Sequence, residues 1–554
     1  MSASTSAEQL FTNGKVVTMD GRGSIAQAIA VKGGRILQVG HTEQLLSLVG
    51  PETKIVDLSG RTVIPGLIDT HCHLVSSVRS HSLYIDGHVP PNRSIFDLLA
   101  RIAARVLTTP SHKWIIMHGS HFGARKLAEK RYPTLQELDV VAPAHPVLIL
   151  DGRHTFRLNS VGLRTLGVHA KDSPALGIGV AEIDPVTGLL SGVLKSTGHL
   201  FPDRTHTFEE AKAYIQDVVP TLWVARGFTS VQAFADALEF RACQELAREG
   251  NLPLRVTSHV FDNNGRLDAM DRAIAMGLTS GLGNDWIKVG GVKIFVDGAY
   301  MSYTAASREP YLDMACKCHR GLLKFSAPAL NAAVQRAHDA GLQVCIHAMG
   351  DKAQEMALDA IEAAITANPR PDHRHRIEHF GCDMGAPDLR ERAFRLGVVP
   401  NVTTGWLYTY GDFVEEHLGT ARTREFMALR EMLDAGLRPC NSSDETGTDW
   451  LTLNPFFAMW CAVQRETFTC ATLNSEQRIS ILEALAMFTI NAAYANFEEP
   501  QKGSIENGKL ADFVVLDRDI LTIPDAQIRD IEVVFTVIGG RTVYQQFQNE
   551  GARE

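Results

Sequence analysis

The sequence predicts an α/β fold: a (β/α)8 TIM-like barrel, a composite β-sandwich built from both chain ends, and a long insertion after the first barrel strand. Two patterns lead to this prediction. Between roughly residues 63 and 494, apolar runs rich in β-branched residues alternate with helical stretches, which is typical of parallel strands joined by crossover helices. Before and after that region, short strand-like runs are separated by turn residues.

The composition is that of an ordinary globular protein. The 554 residues are 45% hydrophobic and 21% charged, which excludes a disordered or fibrous chain. The net charge is -9 and no basic run stands out, so no nucleic-acid partner is expected. No apolar run reaches the ~18 residues that span a membrane, so no membrane association is expected either. Nine scattered cysteines, an odd number, favour reduced thiols and a cytoplasmic protein.

The two chain ends have the same strand-and-turn style. Runs at 14–19, 25–31 and 34–40 read as short strands, as do runs at 508–516 and 533–544. We expect the ends to pair, with residues 1–64 and 500–554 forming the composite β-sandwich and residues 65–499 forming the barrel.

Eight strand-like runs lie in the barrel region, at 63–69, 228–234, 254–260, 287–296, 343–346, 374–377, 398–401 and 438–443. The connection between the first two is far longer than an ordinary crossover, so we expect an inserted subdomain at 80–225. In barrels of this kind the chemistry lies at the carboxyl ends of the strands. The residues that end these runs are therefore the candidates for the site.

Four histidines occupy such strand ends. His71 and His73 lie two residues apart after the first run, so in an extended backbone both imidazoles project from the same face. His347 and His379 end the fifth and sixth runs. Any one of them alone could be a structural histidine, but four imidazoles at matching positions predict a site for Zn²⁺, Fe²⁺, Co²⁺ or Ni²⁺.

Lys293 and Asp444 complete the predicted site. Lys293 lies on the fourth run, where a charged ammonium is costly to bury; reaction with CO₂ would convert it to a bidentate carbamate able to bridge two metal ions. The alternative is an unmodified ammonium paired with Asp297. Asp444 follows the eighth run, where it could bind metal and act as general base, although an Asp after two serines is also a common helix N-cap.

With these residues, the sequence resembles the metal-dependent amidohydrolase superfamily, and within it the branch of N-substituted formamide deformylases and related hydrolases. The matching stretches are 65–73 (PGLIDTHCH), 292–298 (VKIFVDG), 346–351 (IHAMGD), 376–379 (RIEH), 491–494 (NAAY) and 503–512 (GSIENGKLAD). The resemblance covers nearly the whole chain. It implies two divalent metal ions, zinc favoured, held by His71, His73, His347, His379 and Asp444, with carboxylated Lys293 as the bridge.

Three further residues are candidates for substrate binding. His154 lies in the insertion within a stretch that resembles a motif of this branch, and Arg308 follows the fourth run. Trp406 and its aromatic neighbours follow the seventh run and indicate an aromatic or aliphatic N-substituent. Structural alternatives remain for each: polar contacts inside the insertion, a solvent-exposed arginine, and packing between helices.

The predicted function is a binuclear hydrolase that cleaves a linear C–N amide bond of an N-acyl or N-formyl amine. A metal-bridging hydroxide attacks the carbonyl, and Asp444 serves as general acid and base. The alternatives are a cyclic amide or imide, carbamate or ester hydrolase on the same site, and a non-catalytic binding protein. A serine hydrolase is disfavoured because G-x-S-x-G does not occur. The expected partner is a small-molecule amide; the oligomeric state stays open, with a homodimer as one candidate.

Overall fold

The computed structural model describes residues 6–151, 155–177, 179–195, 197–202, 206–261, 267–314, 317–446 and 450–546. The chain divides into two compact units. The first unit comprises Met1–Leu74, Ala211–Asp444 and Leu451–Glu554, and the second comprises Val75–Glu210 and Glu445–Trp450.

Both chain ends contribute strands to a pair of sheets in the first unit. The strands before the barrel are β1 (Gln9–Thr12), β2 (Lys15–Val17), β3 (Ile25–Ala26), β4 (Ala28–Lys32), β5 (Arg35–Gly40), β6 (Lys54–Asp57) and β7 (Thr62–Pro65). One sheet has the order β5-β4-β1-β6. The other places three strands from the far end of the chain beside β7, β2 and β3; they are β22 (Phe513–Leu516), β23 (Val533–Ile538) and β24 (Arg541–Gln545).

The core of this sandwich joins residues from the two ends of the chain. Phe11 and Phe513 meet edge to face, with ring centroids 4.9 Å apart, and Val16, Ile29 and Val537 belong to the same buried cluster. Neither end could bury these side chains by itself, because one of the two facing sheets takes three strands from each end of the chain. The predicted composite β-sandwich is confirmed.

Eight parallel strands form the barrel sheet. They are β8 (Leu67–Cys72), β15 (Phe228–Ala235), β16 (Arg255–Val260), β17 (Ile287–Phe295), β18 (Gln343–His347), β19 (Arg376–Glu378), β20 (Val399–Val402) and β21 (Cys440–Asn441). They are hydrogen-bonded in chain order from β8 to β21. The first and last strands are linked where the Thr70 hydroxyl donates to the carbonyl of Asn441 at 2.7 Å. The predicted barrel is confirmed.

The first predicted barrel strand differs from the observed one. The run at 63–69 is divided between β7, which belongs to the sandwich, and β8, which begins the barrel. Gly66 lies at the division, where an added Cβ would approach the Thr229 hydroxyl oxygen to 2.2 Å. Only glycine permits this close approach, so the chain can change sheets without interrupting its apolar run.

The predicted insertion after the first barrel strand forms most of the second unit. Its six strands are β9 (Ile85–Gly87), β10 (Ile115–Gly119), β11 (Val147–Asp151), β12 (Thr155–Leu158), β13 (Val180–Ile183) and β14 (Leu190–Lys195). They form a sheet of order β13-β14-β12-β11-β10-β9, and Leu148, Phe156 and Leu194 belong to its buried cluster.

The helices connect and cover these sheets. They are α1 (Thr42–Leu45), α2 (Leu74–Leu83), α3 (Ile95–Val106), α4 (Gly123–Lys126), α5 (Leu135–Val141), α6 (Ser160–Thr165), α7 (Phe208–Leu222), α8 (Ala237–Glu249), α9 (Asp268–Ala275), α10 (Ala327–Asp339), α11 (Asp351–Ala367), α12 (Pro387–Arg395), α13 (Trp406–Tyr410), α14 (Val414–Leu418), α15 (Thr420–Thr423), α16 (Leu429–Asp434), α17 (Pro455–Gln464), α18 (Ile481–Phe488) and α19 (Ile490–Tyr494). Helix α8 is capped at its start by Asp236, whose carboxylate accepts from two backbone N–H groups, and at its end by Gly250 in the left-handed region. Among the described residues, no helix has the length and apolar character that crossing a bilayer requires.

Candidate metal centre

Six residues predicted from the sequence lie at or near the carboxyl ends of barrel strands. His71 lies in β8 and His73 just after it, Lys293 lies in β17, and His347 is the last residue of β18. His379 follows β19, and Asp444 follows β21. All six belong to the first compact unit.

One group of candidate metal ligands lies around the first strand. The Nε2 atom of His71 lies 3.3 Å from Oδ1 of Asp444, and Nε2 of His73 lies 3.7 Å from the same oxygen. These three residues each offer one ligand atom within 4.8 Å of the others. Two imidazoles and a carboxylate at this spacing can share one divalent ion.

Lys293 lies against this group inside the barrel. Its Nζ donates to Nε2 of His71 at 3.1 Å and lies 4.1 Å and 4.9 Å from the ring centres of Phe234 and Phe295. Burial lowers the pKa of Lys293 to about 8, against the opposing charges of Glu378 and Asp444. The alternative pairing with Asp297 is not observed, because that carboxylate instead accepts from the backbone N–H groups of residues 306, 349 and 350.

His347 and His379 complete the cluster. Their ring centres are 4.8 Å apart, and the ring of His379 lies 5.0 Å from that of His71. Nε2 of His379 lies 3.9 Å from Oδ2 of Asp444, whereas its buried Nδ1 has no hydrogen-bond partner among the described residues. His347 donates from Nε2 to the carbonyl of Gly298 at 2.9 Å, so the lone pair is on Nδ1.

The protonation state of the cluster suits metal binding. Burial, followed by the charge of Lys293, holds the pKa of His71 well below its usual range, and burial does the same for His379. Neutral imidazoles are the form that binds metal. Four imidazoles, a carboxylate and a lysine with a lowered pKa therefore fit a transition-metal site.

Two of these residues have backbone conformations that side chains rarely adopt. His379 has φ 66° and Asp444 has φ 43°. The N–H of Asp444 donates to the carbonyl of His71 at 2.9 Å, which holds the end of the last strand against the first. Left-handed φ values at residues other than glycine are costly and recur at functional sites.

The Amidohydrolase family model matches residues 54–544 of the chain. The chain belongs to the amidohydrolase family. It is 32% identical to the N-substituted formamide deformylase of Arthrobacter pascens, over 97% of this chain and 98% of that protein. It is 30% identical to Protein LONG AFTER FAR-RED 3 of Arabidopsis thaliana, over 97% of this chain and 92% of that protein. The predictions of the family and of a hydrolase that acts on C–N bonds are confirmed.

A solved structure has the same fold. An uncharacterized metal-dependent hydrolase from Pyrococcus horikoshii OT3 superposes with a TM-score of 0.73 at 24% identity. The match covers 93% of this chain and 99% of the archaeal protein. This similarity supports the fold of the amidohydrolase described above.

The structure places the three candidate substrate residues differently. Trp406 is next to the cluster: its indole stacks on His379 with ring centres 5.0 Å apart and planes at 25°. Arg308 donates to Glu355 and Asp388 at 2.7–3.0 Å, and no described contact joins it to the cluster. His154 lies outside the described residues.

Asp69, which the sequence did not single out, links the two ends of the barrel sheet in this amidohydrolase. Asp69 accepts from the backbone N–H and hydroxyl of Ser443 at 3.0 and 2.6 Å, and from the Trp223 indole at 3.0 Å. It thereby anchors the residue before Asp444 to the first strand. The available signal was a carboxylate directly after the apolar run that ends at Ile68, two residues before His71, since a buried acid requires partners.

Proposed function

We propose that this amidohydrolase is a binuclear metal-dependent enzyme that hydrolyses the linear C–N amide bond of an N-acyl or N-formyl amine. The observation that carries the proposal is the convergence of four imidazoles, Asp444 and Lys293 at one end of the barrel. The similarity of the whole chain to an N-substituted formamide deformylase supports a linear amide as the substrate class.

The ligand set divides between two sites. His71 and His73 would hold one ion, His347 and His379 the other, and carboxylated Lys293 would bridge them, with Asp444 completing the set. Zn²⁺ is the favoured ion because it accepts nitrogen and oxygen ligands without a strict geometric preference. When bound, the ions polarise the scissile carbonyl and lower the pKa of water at the site.

Asp444 is the proposed proton carrier. Its carboxylate lies within 3.3–3.9 Å of ring nitrogens of His71, His73 and His379, so it faces the centre of the cluster. Its side chain is 18% exposed, which lets water and substrate reach it. Asp444 takes a proton from the attacking water and delivers it to the leaving nitrogen as the C–N bond breaks, so that one water yields a carboxylic acid and an amine.

Trp406 is the proposed contact for the substituent on the substrate. Its ring stacks on His379 and also on Tyr410, with ring centres 5.2 Å apart and planes at 27° in the second pair. This arrangement places aromatic surface beside the reacting centre, which favours an aromatic or aliphatic N-substituent. His154 and Arg308 are two further proposed substrate contacts.

Metal content and a substrate screen test the proposal. Protein purified without chelator should contain about two equivalents of transition metal per chain by elemental analysis. About one equivalent would contradict the bridging lysine, and none after reconstitution would favour the non-catalytic barrel. The loaded enzyme should then turn over N-benzylformamide-like or N-acyl amines; turnover of cyclic imides, carbamates or esters alone would contradict the linear-amide assignment.

A further inference from the structure

We infer that Glu378 is a positioning residue that prepares His71 to bind metal, so that Glu378 controls the metal affinity of the centre. The inference rests on the proposed function and adds to it a residue outside the predicted ligand set. Glu378 is the last residue of β19 and is fully buried.

The carboxylate of Glu378 contacts the outer nitrogen of His71. Nδ1 of His71 donates to Oε2 of Glu378 at 2.7 Å. An ionised carboxylate can only accept, so the proton of the neutral imidazole lies on Nδ1 and the lone pair lies on Nε2. Nε2 is the atom that faces Asp444 and Lys293, at 3.3 and 3.1 Å. The hydrogen bond therefore selects the tautomer that a metal ion needs.

Glu378 is itself held in its ionised form. Arg376 donates to it through two nitrogens, at 2.8 and 3.0 Å, and the Asn401 amide donates at 2.5 Å. The carboxylate of Glu378 has no exposed surface, and without these hydrogen bonds and the charge of Arg376 burial would favour its protonated form. Because Arg376, Asn401 and His71 all donate hydrogen bonds to it, the Glu378 carboxylate is stabilised in its ionised form.

The same residues fix Glu378 relative to the first barrel strand. Arg376 donates to the carbonyl of Thr70 at 2.6 Å, and the Asn401 amide donates to the same carbonyl at 3.3 Å. Both contacts reach the residue directly before His71, so β8, β19 and β20 are linked around one imidazole. The position of Oε2 is therefore set by three strands rather than by a flexible side chain.

His347 and His379 are held differently. The outer nitrogen of His347 donates to a backbone carbonyl, and no described group hydrogen-bonds to Nδ1 of His379, whose ring is instead stacked on Trp406. Removing the charge at Glu378 should therefore weaken the ion held by His71 more than the ion held by His347 and His379.

Glu378→Gln tests the inference, with Glu498→Gln as the matched control. Glu498 is also a buried carboxylate, paired at 2.8 Å with Lys288 and Lys502, but it contacts no predicted ligand. Metal dissociation constants are measured by competition with a chromogenic chelator. We expect the affinity for the ion held by His71 and His73 to fall about 10- to 100-fold in Glu378→Gln and to stay within about twofold of native in Glu498→Gln.

A second measurement uses the native protein and does not depend on how the variant folds. The ¹⁵N chemical shifts of His71 in the metal-free protein should show the proton on Nδ1; a proton on Nε2 would overturn the inference. Native protein that binds no transition metal would refute the proposed function and the inference with it. Native protein that binds metal, with an equal affinity in folded Glu378→Gln, would refute the inference alone.

Discussion

Returning zinc to metal-free protein should depend on CO₂ in a way set by the burial of Lys293. Only the neutral amine reacts with CO₂ to form a carbamate. With its pKa lowered from 10.5 to about 8, about one lysine in ten is neutral at pH 7. An unperturbed lysine would be neutral in about one molecule in 3,000, so burial between Phe234 and Phe295 raises the reactive fraction about 300-fold.

The sign of the pH dependence follows from the direction of this shift. Below pH 8 the neutral fraction of Lys293 rises about tenfold for each pH unit, and above pH 8 it levels off. At a fixed concentration of dissolved CO₂, the rate of carbamate formation should follow the same curve. An unshifted lysine would instead keep accelerating to about pH 10.

The assay follows metal uptake and carbamate formation together. Chelator-stripped protein is mixed with zinc at fixed dissolved CO₂ between pH 6 and pH 10, uptake is read with a zinc indicator, and the carbamate is detected by ¹³C NMR. Lys293→Ala should lose at least one metal and the CO₂ dependence, and short carboxylic acids should restore metal by replacing the carbamate. Metal uptake by the native protein that does not respond to CO₂, or full activity in Lys293→Ala, would refute the bridging role.

Three further changes test other parts of the structure. Asp444→Asn should retain the fold and part of the metal while lowering kcat at least about 100-fold, because no group then moves the proton. Steady-state kinetics on the metal-loaded variant measure this, and a kcat near the native value would contradict the role of Asp444 as proton carrier. Burial raises the pKa of Glu498, but the charges of Lys502 and Lys288 outweigh it and lower this pKa to about 2. The ionised carboxylate therefore stabilises the folded protein by ~3 kcal/mol above about pH 4.5, and this stabilisation is lost as the pH falls towards 2. Thermal unfolding between pH 5 and pH 2.5 should therefore shift less in Glu498→Gln than in native protein, and equal shifts would contradict this. Trp406→Ala should lower the free energy of unfolding by about 3–5 kcal/mol in urea titrations and remove the stacking contact on the ring of His379. An unchanged urea midpoint would show that this stack does not stabilise the barrel.

Much of the fold follows from local patterns. Each of the eight predicted barrel runs overlaps an observed strand, because a strand buried on both faces must be apolar along its length. Apolar periodicity does not say where a chain leaves one sheet for another, so the division at Gly66 was missed. The predicted domain limits, 1–64 with 500–554, 65–499 and 80–225, stay predictions.

The site was partly readable for a related reason. His71, His73, His347, His379, Lys293 and Asp444 stand out because a polar residue at the end of an apolar strand is unusual, and the barrel collects strand ends at one face. Their ligand roles, like the substrate contacts proposed for His154 and Arg308, stay predictions.

The sequence by itself determined the order of the strands, the chemistry of the residues at their ends and the family to which the chain belongs. Only the tertiary structure decided which groups support that chemistry. Glu378 contacts His71 across 307 residues of chain, and Asp69 contacts Ser443 across 374. Contacts of this kind have no local signature, because they arise when barrel closure brings distant strands side by side and leaves buried charges that must find partners.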